Sequence, residues 1–119
     1  MIGDVLAMLA TMPAAALGAA YPDAAIDQPP HASVTTDAIT GRRECFIGYR
    51  LRTAAAIAPV AAFYKAQGAA AGARLIEDTG GKLPDFRILA FATPHFLSVV
   101  LARQHASTRV AVTYGIGCP

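Results

Sequence analysis

Three arginines are the residues of this chain whose spacing points to chemistry. Arg50 and Arg52 alternate with apolar residues in ECFIGYRLR (44–52), and Arg109 does so in TRVAVTYG (108–115), so each stands on the polar side of a period-two pattern. If those two strands are neighbours, the three guanidinium groups cluster near one end of a sheet. Such a cluster binds a carboxylate, a phosphate or an acidic partner surface through paired N–H donors. The competing reading is a solvated outer face that keeps an apolar chain in solution, and by sequence alone it outweighs the first.

Other reactive residue types do not assemble. His31 lies in a proline-rich stretch, and His95 and His105 fall in turn signals at opposite ends of one strand pattern, about 30 Å apart at roughly 3.3 Å per residue. None pairs at helical spacing with a carboxylate or another histidine, so no metal site and no general base is expected. Glu77 and Asp78 are adjacent on a strand and point to opposite faces, which rules out a paired acid and base. Asp85 beside Pro84 is explained by turn chemistry. Ser98 and Ser107 lack a nucleophile elbow, and Gly80-Gly81-Lys82 lacks the spacing of a phosphate loop. No cofactor is implied.

Aromatic residues offer a second candidate. Tyr49, Phe63, Tyr64 and Tyr114 would line a pocket between a helix and a sheet, as in a small-ligand carrier or a small enzyme. The tyrosine tips discriminate: hydroxyls converging on a cavity favour the carrier, and hydroxyls packed on one another or reaching the surface favour a binding module.

The elements that must position these residues centre on residues 53–72, the one long helical pattern in the second half. Val60, Phe63, Tyr64 and Ala71 recur at three-and-four spacing. Pro59 restricts the regular helix to a start near Ala58, and Gly72 supplies the stop. Residues 44–52 precede it as the cleanest strand. Residues 73–79, 85–92, 96–104 and 108–115 follow as four strand patterns joined by short turns. The expected fold is α+β, one main helix on a mostly antiparallel sheet of about five strands in the order β-α-β-β-β-β.

Residues 21–43 carry Pro22, Pro29, Pro30 and Gly41 and are expected to run over the surface as an extended segment, with a short edge strand at 32–36 at most. Residues 1–20 are apolar and end in Gly18-Ala19-Ala20, like a secretory cleavage site, but Asp4 stands where a basic segment belongs. An export signal, an uncleaved anchor and an ordinary capped helix compete; export is preferred, and no stable membrane span is expected because Asp4, Pro13 and Gly18 interrupt the stretch. Residues 21–119 then form a single domain.

Composition narrows the partners. The chain has 119 residues, 55% of them hydrophobic and 15% charged, with a net charge of +2 and no run of like charges. It can bury a core, and nothing in it implies nucleic acid or a membrane surface. Cys45 and Cys118 are separated by 72 intervening residues, without zinc-ligand spacing. In an up-and-down sheet the first and last strands are antiparallel, which brings both cysteines to one edge. An oxidising compartment would bond them, and in a reducing one they would be inert thiols.

Tyr21-Pro22-Asp23-Ala24, Thr53 with Phe63-Tyr64, and Gly72 together resemble a family of small exported bacterial domains of unknown function, with a YPGA-like start and a threonine followed by an FY helix ending in glycine. The resemblance covers about the last hundred residues and implies periplasmic or secreted localisation and the helix-on-sheet fold; it carries over no catalytic residue. The expectation is a non-enzymatic exported binding or accessory domain for an unknown protein or small molecule. The alternatives are the carrier or small enzyme described earlier and a cytoplasmic location.

Overall fold

Alternation of apolar and polar side chains over residues 43–53 produces strand β2 (Arg43–Thr53), in which Cys45, Ile47, Tyr49, Leu51 and Thr53 are all buried. The computed structural model describes residues 21–70, 72–80, 82–92, 96–116 and 118, so the leader-like segment at 1–20 lies outside the described residues. Strand β1 (Ala25–Thr36), helix α1 (Ile57–Ala70) and strands β3 (Arg74–Asp78), β4 (Phe86–Ala92), β5 (Phe96–Gln104) and β6 (Ser107–Ile116) complete the fold. The strands form one antiparallel sheet in the order β1-β2-β6-β5-β4-β3. The architecture is α+β, one helix on an antiparallel sheet.

Two expectations are corrected. Among the described residues the sheet has six strands rather than about five, and the order begins β-β-α because the edge strand allowed for at 32–36 starts earlier and runs over 12 residues, 25–36. Pro29 and Pro30 are tolerated because an edge strand has one side that needs no N–H donor. The register shifts between Ile26 and Gln28 and between Gln28 and His31 fall on or beside them. The turn into β2 is built by Asp37, whose carboxylate accepts the backbone N–H groups of Ile39 (2.8 Å) and Thr40 (2.9 Å), while Gly41 takes a φ of 71°.

Helix α1 starts two residues before Pro59, whose missing N–H belongs to the first turn, where no intrahelical partner exists. It stops in a Schellman motif: Ala73 N–H donates to Gly68 O (2.8 Å) and Gly72 N–H to Ala69 O (3.1 Å), with Gly72 at a φ of 76°. Val60, Ala61, Tyr64 and Gly68 form its buried face. The sequence spacing put Phe63 and Ala71 on that face; Phe63 is half-buried at its border, and Ala71 lies outside the described residues. Gly68 is there because the Phe91 ring occupies the space where its Cβ would sit, 2.6 Å from the nearest ring carbon. The side chain that fills this part of the interface comes from the sheet.

Under the helix, Ile47, Leu51, Leu89, Phe91, Val99, Leu101, Val110 and Val112 make the core. Charged groups at the two ends of this face are engaged. Asp78 accepts from Arg87 (2.8 and 2.7 Å) and Lys65 (3.0 Å), which ties β3 and β4 to α1 and holds its carboxyl well below the usual range. At the other end Arg103 donates to Ala54 O (3.2 Å), Ala55 O (2.8 Å) and Thr108 Oγ1 (2.9 Å), which pins the β2–α1 connection. Cys45 and Cys118 are joined by a disulfide, with Cα atoms 5.2 Å apart, that fastens the C-terminus to β2. Among the described residues no helix is long and apolar enough to cross a membrane.

Candidate functional site

The antiparallel register of β2 and β6 places Arg52 directly opposite Arg109, and Arg50 opposite Ala111. Because partners across a ladder share a face, the three arginines stand together on the side of the sheet away from α1. Together they line an open basin of about 560 Å³, whose floor includes Val100, Ala102 and Ala111 and whose β1 wall is Asp27 and Gln28. Arg52 pairs with Asp27 at 3.2 Å. Arg50 and Arg109 are exposed and form no ion pair among the described residues. Short side chains on β5 and β6 are what make room for the basin, since bulkier ones would fill it.

Beyond Arg50 the surface continues into a smaller hollow of about 110 Å³ lined by Gln28, His31, Ser33, Phe46, Gly48 and Thr113, among others. His31 stands opposite Gly48. Its imidazole lies against the bare backbone there, 3.6 Å from where a Gly48 Cβ would be. Sequence reading did not single out Asp27, Gln28, Ser33, Phe46 or Gly48 and placed His31 in a solvated loop, because the proline-rich residues before 32 read as a surface segment and Phe46 and Gly48 had no visible partner across the strand. The alternation His31, Ser33, Thr35 was the available signal.

The four aromatic candidates lie on the other face. Tyr49 Oη donates to Tyr64 Oη at 3.5 Å. Burial pushes both tyrosines above the ordinary phenol range. Phe63 stacks edge-on between Tyr64 and Tyr21, with centroids 5.2 and 5.3 Å away. Tyr114 is buried farther along β6, two register pairs beyond Val112, the partner of Tyr49. The hydroxyls of Tyr49 and Tyr64 therefore meet each other inside the interface.

Residues with nucleophile or base chemistry stay apart. His31 and Ser98 share a row of the open face but are three strand spacings apart, about 14 Å. Ser107 Oγ donates to Gln104 O at 3.3 Å, and His105 forms the β5–β6 turn at a φ of 55°. His95 lies outside the described residues. Glu77 and Asp78 do face opposite ways, opposite Ala90 and Leu89 respectively. Among the described residues no three metal-ligating side chains converge.

No family model, curated protein or solved structure matches this chain. The arginine basin is the feature of the fold from which a function can be read.

Proposed function

We propose that this domain is a non-enzymatic binding module that takes an anionic group on the open face of its sheet, at Arg50 and Arg109. The observation behind this is that three guanidinium groups surround one basin while, among the described residues, a single carboxylate, Asp27, answers them. Two cations are left facing solvent over a small-residue floor, where an incoming carboxylate or phosphate meets paired donors without displacing an internal partner. The basin volume is within the range of small-ligand sites. The Tyr49–Tyr64 contact weighs against the carrier reading, since those hydroxyls satisfy each other.

The Cys45–Cys118 disulfide and the resemblance of Tyr21 to Ala24 and of the Phe63-Tyr64 helix to exported bacterial domains support periplasmic or secreted residence. The test is an NMR titration of the full chain with citrate and with inorganic phosphate. Saturable shifts at the amides of Gln28, Arg50 and Ala111, reduced about 10-fold in affinity by Arg50→Ala or Arg109→Ala, are expected. Shifts centred on Tyr49 and Tyr64 would favour the carrier; no saturable shift with either anion would remove the reading.

A further inference from the structure

We infer that the ligand of this face is an acidic oligosaccharide, lying along the β2–β6 seam with an acid group at Arg50 and Arg109; this rests on the proposed anion-binding role and adds the chemistry of the rest of the ligand. The basin and the smaller hollow share Gln28, Arg50 and Ala111, so they are one trough. From the Arg52–Arg109 pair to the Phe46–Gly115 pair is six residues of strand, about 20 Å. A lone phosphate or carboxylate would occupy only the arginine end.

The lining changes along that length. Past the guanidinium groups it offers the hydrogen-bonding side chains of Gln28, His31, Ser33 and Thr113, and ends at the half-buried Phe46 ring. His31 Nδ1 lies 3.3 Å from Pro29 O, which can only accept, so Nδ1–H is the donor in that contact and Nε2 is left for a ligand. Between these groups the floor is Ala111 and Gly48, with the His31 imidazole lying against Gly48 as a flat polar surface. A sugar matches this order: its hydroxyls are donors and acceptors like the groups that meet them, its C–H face suits an aromatic ring, and its acid group suits arginine.

A bound peptide fits less well. Strand addition uses unpaired N–H and C=O groups at a sheet edge, whereas the trough lies over β2 and β6, whose backbones already pair with each other and with β1 and β5. Single-stranded nucleic acid calls for a series of stacking platforms and a longer cationic track than Arg50 and Arg109 supply.

Calorimetry on the full, disulfide-bonded chain separates the possibilities, with trigalacturonate, galacturonate, maltotriose and triglutamate as probes. Trigalacturonate is expected to bind about 10-fold more tightly than galacturonate, and both maltotriose and triglutamate more weakly than trigalacturonate by at least that factor. His31→Ala and Phe46→Ala, confirmed as folded by their melting curves, should lower trigalacturonate affinity towards the galacturonate value while leaving galacturonate itself unchanged. Equal affinity for the monomer and trimer, lost on Arg50→Ala, would keep the anion site and overturn the saccharide. Tighter binding of triglutamate would overturn it in favour of a peptide. Absence of binding by every anionic probe would overturn both readings.

Discussion

The two faces of the sheet use the same residue type for opposite ends. On the helix side, Arg87 and Arg103 spend their donors inside the molecule, on Asp78 and on the Ala54–Ala55 carbonyls with Thr108. On the far side, Arg50 and Arg109 sit over Ala102, Ala111 and Val100 with no carboxylate of their own among the described residues. The difference teaches that position relative to the helix, rather than residue type, separates a structural arginine from one available to a ligand. Where α1 limits water, an arginine without partners would be expensive, so Arg87 makes two bonds to Asp78 and Arg103 makes three to the β2–α1 connection and Thr108. Where water reaches the sheet, an unpaired guanidinium costs little.

The comparison breaks most visibly at Phe91. Phe91→Ala empties the space beneath Gly68 and is expected to cost about 3–5 kcal/mol in denaturant unfolding, without changing the arginine basin. If Phe91→Ala were as mild as a surface change, the helix would not be held by this contact. Next is the disulfide, which also belongs to the helix side through the buried Cys45. Reduction, or Cys45→Ser with Cys118→Ser, should lower stability by about 4 kcal/mol on the loop-entropy model, read as a shift in the urea midpoint between oxidised and reduced samples. Coincident midpoints would show that β6 holds the C-terminus without it.

A smaller effect tests the engaged arginine. Asp78→Asn removes the charge that Arg87 and Lys65 share and should cost about 1–3 kcal/mol at neutral pH. The folded carboxyl titrates below its unfolded value, so its contribution is fully present above the ordinary carboxylate pKa of about 4 and is lost as pH falls through the folded value. Unfolding free energy measured from pH 7 downwards should therefore fall less steeply below about pH 4 in the variant. An unchanged acid limb would remove Asp78 as its source. The smallest change in stability belongs to the open face. Arg50→Ala with Arg109→Ala should leave the urea midpoint within the equivalent of about 0.5 kcal/mol while abolishing anion binding. A large destabilisation would mean that these arginines are structural after all.

Much of this was legible along the chain. Five of the six strands and the helix stop at Gly72 follow from local patterns: period-two alternation in 44–52 and 108–115, and a residue free to take positive φ after an apolar helix. The shared face of Arg50 and Arg52 was visible for the same reason. Strand β1 was legible at 32–36 at most, because Pro29 and Pro30 are read as breakers unless it is known that one side of the strand has no neighbour. With β1 misread, the β1 wall of the trough, Asp27, Gln28, His31 and Ser33, was invisible as a group.

The sequence by itself determined which side chains share a face of each element, since the pleat of a strand and the turn of a helix are set by backbone sterics within a few residues. It also implied, through strand parity and an up-and-down path, that Cys45 and Cys118 could meet. Only the tertiary structure decided that β6 lies beside β2, that Arg109 therefore stands opposite Arg52, that β1 completes the wall, and that Gly68 yields its volume to Phe91. Those are choices among residues far apart in the chain. They are made by how side chains pack when brought together, and no local period carries that information.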